Sequence, residues 1–353
     1  MANPSKAVPP APAAEPMLLP RACRRQRSAI VTGGAGFMGS VLAAGLAGQG
    51  WAVSVVDAAG HDQRLCNLFG VAIAGYWHQD EYLRALQSGH QPPPQAVIHL
   101  GACSDTTEAD AGFLMRTNFA YTRALAVWCL RNGCRFIYAS SAATYGNGEG
   151  GYGDDPARLP SLRPRNKYAF SKHAFDLWAL QHGAFAGPNG ITGLKYFNVY
   201  GPNEYHKGEM RSMVLKAYEQ IQATGTVRLF KSHRPEFGDG DQERDFIYVK
   251  DAVAITAWFL EHPEATGIFN VGAGVARTWN DLARSVFAAL GREPRIEYVD
   301  MPEAIRPAYQ YSTCAEMGRL RAAGCNLPIR SLEDGVRDYV QNYLAAPDPY
   351  LRS

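Results

Sequence analysis

Two side chains four residues apart carry the first chemical signal: Tyr168 and Lys172, in Tyr168-Ala169-Phe170-Ser171-Lys172. On a helix, positions i and i+4 share a face, so the phenol and the ammonium point the same way. A free phenol ionises near pH ~10, too high for a base at neutral pH. A neighbouring positive charge favours the phenolate, and such an oxygen takes a proton from an alcohol. Upstream, Ser140-Ser141-Ala142-Ala143-Thr144-Tyr145-Gly146 offers Ser141 to hold and orient the same hydroxyl. A Tyr-x-x-x-Lys pair alone is common on solvated helices and means little without further signals.

The further signal is a glycine loop. Residues 33–39 read Gly33-Gly34-Ala35-Gly36-Phe37-Met38-Gly39, with Gly33, Gly36 and Gly39 at G-x-x-G-x-x-G spacing. This is one position away from the G-x-G-x-x-G of standard dehydrogenases, and the mechanics are similar. Glycine permits the tight turn and lets backbone N–H groups approach a pyrophosphate. A helix opening near Gly39 aims its positive end at that anion. The loop follows an apolar strand and precedes a second one ending in Asp57. Asp57 accepts hydrogen bonds from an adenosine ribose in this arrangement. Alone it favours NAD, because a 2′-phosphate meets like charge, and Arg64 is close enough in sequence to offset this. With a dinucleotide bound, the positive nicotinamide adds to Lys172 in favouring the Tyr168 phenolate, and Lys172 also reaches the nicotinamide ribose.

The elements that position these groups alternate between strand and helix. Ala29–Thr32, Ala52–Val56, Ala96–Leu100 and Arg135–Ala139 read as buried strands, and Ile191–Phe197 and Ile268–Val271 as additions to the same sheet. Val41–Gln49 and Phe113–Arg131 read as helices. The alternation predicts an α/β fold, a Rossmann-like doubly wound parallel sheet covered on both faces, with a smaller C-terminal substrate-binding lobe. The expected organisation is a disordered N-terminal extension over 1–27 and a dinucleotide-binding domain over 28–201 that also receives 246–290. The lobe takes 202–245 and 291–345. The region 202–244 is polar and turn-rich, with one helix around Ser212–Ala223. A strand near Ile296–Tyr298 and helices near Cys314–Ala323 and Leu332–Tyr343 follow.

Composition narrows the partners. The 353 residues are 46% hydrophobic with a formal net charge of +2, so nucleic acid is a poor expectation. The basic cluster Arg21, Arg24, Arg25 and Arg27 reads as a solvated tail. The seven cysteines stand alone, without CxxC or short Cys/His spacing, and the nine histidines form no HExxH. Neither a metal site nor a disulfide framework is expected, and reduced thiols fit a cytoplasmic protein. No apolar run is long enough for a membrane span.

The combined motifs resemble the extended short-chain dehydrogenase/reductase superfamily. They are TGGAGFMGS at 32–40, HLGACSDT at 99–106, SSAATYG at 140–146, YAFSK at 168–172, YFNVYGP at 196–202 and RDFIYVKD at 244–251. Within it, YASSAATYG at 138–146 and YFNVYGPNEYHKGEM at 196–210 resemble the ADP-glycero-manno-heptose 6-epimerases. The resemblance implies inversion at C6 of an ADP-linked heptose through a transient ketone, feeding lipopolysaccharide core assembly. It implies NADP as cofactor, with NAD as the alternative, and a homo-oligomer. It implies Tyr168, Lys172 and Ser141 as catalytic residues, and Lys207 as a second proton-transfer group that also meets the cofactor.

Other contacts carry over by position. Gly33, Gly36, Phe37, Met38, Gly39, Asp57, Ala58, Arg64, Leu100, Gly101, Ala102, Cys103, Ser104, Asn118, Lys172 and Val199 are expected at the cofactor. Asn198, Glu209, Lys216, Phe230, Lys231, Ser232, His233, Arg244 and Tyr309 are expected at the substrate, beside Ser141. Arg244 suits a diphosphate, its planar fork binding phosphate oxygens in pairs, or else an ion pair with Asp245 or Asp251. Ala58 and Gln79 depart from the family's Asn and Lys, and Glu209 and Lys216 from its Ser and His. A UDP-hexose 4-epimerase shares the Ser, Tyr and Lys but not the His206-Lys207-Gly208 segment. A 4,6-dehydratase needs an acidic pair where Ala142 and Ala143 stand. A non-catalytic dinucleotide sensor is the alternative outside enzymes, and retention of both Tyr168 and Lys172 speaks against it.

Overall fold

The computed structural model describes residues 27–58, 63–89, 92–303, 305–306 and 309–352. The expected N-terminal extension lies, apart from Arg27, outside the described residues. In chain order the strands are β1 (Ser28–Thr32), β2 (Ala52–Asp57), β3 (Gly75–His78), β4 (Ala96–His99), β5 (Arg135–Ser141) and β6 (Thr192–Tyr196). They continue with β7 (Asn198–Tyr200), β8 (Val227–Phe230), β9 (Glu243–Tyr248), β10 (Gly267–Val271), β11 (Ala276–Thr278) and β12 (Ile296–Val299).

Seven of them form one parallel sheet in the order β3-β2-β1-β4-β5-β6-β10. Strands such as β4 and β10 are buried throughout their length. That explains their continuous apolar text: helices cover both faces, so no side of the strand meets water. On one face Val41, Leu42 and Leu46 of the helix Phe37–Gly48 share a core with Val249 and Ile255 of the helix Val249–Glu261. On the other, Leu125 and Ala126 of the helix Tyr121–Arg131 share one with Phe175 and Ala179 of the helix Lys167–Gln181. Strand order reverses between β1 and β4, and the crevice beyond their C-terminal ends is where ligands enter such sheets.

A three-stranded sheet, β11-β9-β7, and a parallel pair, β12-β8, stand outside the main sheet. The helix Met213–Thr224 opens on the Ser212 hydroxyl, which accepts from the Leu215 N–H at 3.3 Å, and closes at left-handed Gly225. The first helix starts at Phe37, two residues earlier than expected, so the glycine turn is tighter. The stretch 111–131 is not one regular helix. A π turn, Met115–Ala120, separates Ala111–Leu114 from Tyr121–Arg131 and contains Asn118. Strands β3, β7, β8, β9 and β11 have no counterpart in the sequence reading. All but β9 are three or four residues long, too short to show a period, and β9 opens on the charged Glu243, Arg244 and Asp245. No helix among the described residues is long and apolar enough to cross a membrane.

Candidate active site

The glycine loop shows why its residues lack side chains. Gly33 is left-handed at φ 67, and a Cβ there would lie 2.6 Å from both Cα and N of Gly101. The turns after β1 and β4 therefore touch backbone to backbone. A Cβ on Gly39 would collide with the Gly33 carbonyl, so the helix packs directly on the turn. Gly36 is the N-cap of that helix and supplies no side-chain cap, and the first turn carries no acid. The positive end of the helix thus meets no compensating charge from its own first turn. A bare turn, an uncompensated helix N-terminus and an acid at the end of the next strand fit a dinucleotide pyrophosphate and ribose.

Asp57, buried at the end of β2, accepts from the Ala35 N–H at 2.9 Å and from Arg64 at 3.1 Å. Arg64 belongs to the 3-10 turn Gln63–Leu68, and Ala58 follows the strand on the surface. Asn67, in the same turn, donates to the Ala35 carbonyl at 2.9 Å and so holds the glycine loop from outside. The sequence reading missed Asn67, because a lone Asn in a polar turn carries no pattern.

Leu100 to Ser104 leave β4 along the same crevice. The N–H groups of Leu100 and Gly101 reach the Thr32 carbonyl and hydroxyl, at 3.1 and 3.3 Å. Asn118 pins Cys103 twice, accepting its N–H at 2.9 Å and donating to its carbonyl at 3.0 Å. Its amide also donates to the Ser171 hydroxyl at 3.0 Å, tying the π turn to the Tyr168–Lys172 helix. Under Cys103, His99 is buried between the hydroxyls of Thr32 (2.5 Å) and Thr122 (2.8 Å). Burial, aided by Lys172, lowers its pKa to about 3, so the ring is neutral.

Tyr168, Lys172 and Ser141 come together at the C-terminal end of β5. The Tyr168 phenol is hydrogen-bonded to Ser141. Lys172 is 5% exposed and donates to the Ala139 carbonyl at 3.0 Å. Burial pushes its pKa down to about 8, against the opposing pull of Asp176. Burial pushes Tyr168 the other way, above its ordinary value, with the Ser141 hydrogen bond opposing. In the protein by itself the phenol is therefore the favoured form, and the expected phenolate rests on the nicotinamide charge as well as on Lys172. The Lys172 ammonium is engaged by a carbonyl, and desolvation of the phenol dominates.

Beneath this pair lies a network that the sequence reading did not anticipate. Asp176 and Lys195 form a fully buried ion pair at 2.8 Å. Asp176 also accepts from the Tyr138 hydroxyl at 2.8 Å and the Ser140 hydroxyl at 2.7 Å. Lys195 donates to Thr144 and lies 5.0 Å from the centre of the Tyr145 ring.

Lys207 sits in the 3-10 turn Tyr205–Met210, its Nζ 5.1 Å from the centre of the Phe37 ring. The structure thus brings Lys207 to the glycine loop. Burial lowers its pKa, with buried Glu204 opposing. Asn198 and Val199 lie in the short β7, Asn198 exposed.

A second cluster gathers Phe230, His233, Arg244 and Tyr309 of the expected substrate residues. Arg244, 8% exposed, has its guanidinium 5.5 Å from the Trp279 ring centre and 5.2 Å from that of Tyr309. Tyr309 accepts from the Trp279 indole at 3.0 Å and meets Phe230 edge-on. The His233 N–H donates to the Tyr311 hydroxyl at 2.9 Å, the Ser232 N–H to Asp239 at 2.8 Å, and Lys231 pairs with Asp300 at 3.3 Å. Asp245 and Asp251 are not the partners of Arg244: Asp245 accepts three backbone N–H groups and Asp251 pairs with Arg330. An arginine held between aromatic rings suits a phosphate and a flat base. Trp279 and Tyr311 were missed, being isolated aromatics that read as core. Glu209 and Lys216 pair with each other at 3.3 Å on the surface. Gln310 donates to the Gly146 carbonyl, linking the aromatic box to the loop after β5.

Known proteins resemble this chain in sequence and in fold. The model of the NAD dependent epimerase/dehydratase family matches residues 29–272. The ADP-L-glycero-D-manno-heptose-6-epimerase of Nitratidesulfovibrio vulgaris (strain Hildenborough) is 52% identical over 324 residues, which span 91% of this chain and 99% of that one. The enzyme of that name from Fusobacterium nucleatum is 44% identical over 334 residues, with the same two shares. Among solved structures, the Helicobacter pylori ADP-L-glycero-D-manno-heptose-6-epimerase matches with a TM-score of 0.73 at 27% identity, covering 91% of this chain and 97% of its own. The Thermus thermophilus UDP-glucose 4-epimerase in complex with NAD matches at 0.67 and 25%, covering 88% and 96%. With its glycine loop, Ser–Tyr–Lys cluster and seven-stranded parallel sheet, this chain belongs to the NAD dependent epimerase/dehydratase family.

Proposed function

We infer that this chain is an isomerase that inverts C6 of the heptose in an ADP-linked glycero-manno-heptose, with a nicotinamide dinucleotide as cofactor. Gly33, Gly36, Gly39 and the N-terminus of the first helix would hold its pyrophosphate. Asp57 and Arg64 would meet the adenosine ribose, and Lys172 the nicotinamide ribose. Leu100 to Ser104, Asn118 and Val199 would line its path. When bound, the nicotinamide supplies a place for one hydride to leave and return.

The chain's residues move the proton. Tyr168 takes the hydroxyl proton of C6 as the ketone forms and gives it back as the alcohol returns, with Ser141 holding the oxygen. Its raised pKa makes the phenol the resting form. Ionisation of Tyr168 therefore depends on positive charge arriving with the cofactor. Inversion needs a second proton-transfer group for the other presentation of the sugar, and Lys207 takes that role. A lysine serves as a base only if its pKa falls, and burial lowers that of Lys207. Arg244, within its aromatic box, binds the diphosphate, and Phe230 to His233 and Tyr309 line the nucleotide. Asn198, Glu209 and Lys216 complete the sugar side. The finer cofactor reading is NADP: Arg64 beside Asp57 supplies the positive charge a 2′-phosphate requires.

The observation that carries the reading is the pair of titratable side chains at the crevice, Tyr168 beside Ser141 and Lys207 against Phe37 of the glycine loop. The test is Tyr168→Phe, with interconversion of the two ADP-heptose C6 stereoisomers followed by NMR. Turnover is expected to fall by about 10²–10⁴-fold while dinucleotide affinity stays within a few-fold. Unchanged turnover would remove Tyr168 from the chemistry. A wild-type chain that never interconverts the stereoisomers would end the reading.

A further inference from the structure

The segment Asp348–Arg352 bridges two parts of the chain that both touch the dinucleotide crevice. Arg352 donates to the Cys66 and Phe69 carbonyls, each at 2.8 Å. These carbonyls lie at and just beyond the end of the 3-10 turn Gln63–Leu68, where a cation complements the C=O groups. Asp348 holds the guanidinium in place at 2.9 and 3.2 Å, and the Tyr350 ring stacks 4.9 Å beneath it.

The same segment grips the other side. The Leu351 N–H donates to the Asn203 side chain at 2.9 Å, and the Pro349 carbonyl accepts from the Tyr205 hydroxyl at 2.5 Å. Tyr350 meets the Tyr205 ring edge-on at 5.3 Å. Asn203 is left-handed at φ 75, a conformation a non-glycine residue holds only with outside support. Its amide donates to Ser40 of the first helix at 2.9 Å. Asn67 closes the circuit by donating to the Ala35 and Asn203 carbonyls, at 2.9 and 3.2 Å.

We propose that Asp348–Arg352 is a strap that positions the Arg64–Asn67 turn and the Asn203–Lys207 loop around the bound dinucleotide, with Arg352 its main positioning residue. The proposal rests on the dinucleotide reading of the glycine loop. Arg352 would touch neither cofactor nor substrate. It holds the backbone of the turn whose Arg64 meets Asp57 and whose Asn67 braces the glycine loop. The strap makes no contact with the Arg244–Trp279–Tyr309 box among the bonds that anchor it. Its effect therefore falls on the dinucleotide and, through Lys207, on turnover, and not on binding of the nucleotide by that box.

The test titrates NADP calorimetrically into the full chain stripped of co-purified dinucleotide, comparing wild type, Arg352→Ala, Arg352→Lys and a chain lacking residues 350–353. Two lost charge-assisted hydrogen bonds at a half-exposed site predict a Kd about five- to tenfold weaker for Arg352→Ala. Arg352→Lys keeps the cation without the fork and should fall between the two. The truncation should weaken binding at least as much as Arg352→Ala. The KM for ADP-heptose at saturating NADP should stay within about twofold, a split that general destabilisation would not produce. A folded Arg352→Ala chain with wild-type Kd overturns the proposal, as does a parallel rise in KM. Wild-type protein that binds no dinucleotide overturns the glycine-loop reading itself, and the strap with it.

Discussion

Replacing Lys195 by methionine tests the buried network under Tyr168 and Lys172. Asp176 and Lys195 are both fully buried and 2.8 Å apart, and the carboxylate has two further hydroxyl donors within 2.8 Å. Methionine keeps the length of the side chain and removes the charge. It leaves the Asp176 carboxyl group in a dry site with only Tyr138 and Ser140 to satisfy it, and it removes a donor from the Thr144 hydroxyl, which keeps its bond to the Ser141 carbonyl at 2.7 Å. Removing one partner of a buried ion pair costs about 3–5 kcal/mol, because the other charge stays buried and uncompensated. Scaled by the usual unfolding entropy per residue, that is a fall in Tm of roughly 4–7 °C for a chain this long. Calorimetry and urea denaturation of Lys195→Met, Asp176→Asn and the double variant would measure it. Asparagine can still accept from Ser140 or Tyr138 without needing a cation. The double variant should therefore be more stable than Lys195→Met by about 2 kcal/mol, so that its loss falls short of the sum of the single losses by at least that much. Losses that merely add, or a Lys195→Met variant within about 1 kcal/mol of wild type, would refute the argument. The same perturbation has a catalytic signature. Asp176 lies one turn beyond Lys172 and raises its pKa against burial. Asp176→Asn should lower the Lys172 pKa below its value of about 8 and shift the alkaline limb of the kcat profile to lower pH.

Two further outcomes follow from the crevice. Gly39→Ala puts a methyl group against the Gly33 carbonyl and 2.8 Å from the Gly34 Cα, where only backbone can yield. It should lower stability by about 1–3 kcal/mol and abolish the thermal shift expected from a nicotinamide dinucleotide; a retained shift would show the loop has slack. His99 has its folded pKa lowered to about 3 from 6.5, so between those values the unfolded chain binds the extra proton. Its contribution to stability is fully present above pH ~6.5 and is lost as pH falls toward 3, with stability rising with pH across that window. His99→Gln should flatten this part of the curve in urea titrations run from pH 4 to 7, and an unchanged slope would assign it to other groups.

The sequence by itself determined the class of the sheet and the dinucleotide crevice, because both are local in their physics. Strands β1, β2, β4 and β5 are continuous apolar runs, and Gly33, Gly36 and Gly39 sit within a single turn. The i, i+4 spacing of Tyr168 and Lys172 likewise survives intact in the helix Lys167–Gln181. What only the tertiary structure decided depends on partners far apart in the chain. Asp176 meets Lys195 across helix and strand, Arg244 meets Trp279 and Tyr309, and Arg352 meets Cys66. No spacing announces such pairs, since each residue alone reads as solvated surface or ordinary core. The protonation of Tyr168 belongs to this second group as well. Charge proximity along a helix argues for phenolate, while burial, a property of the whole packed molecule, pulls the other way.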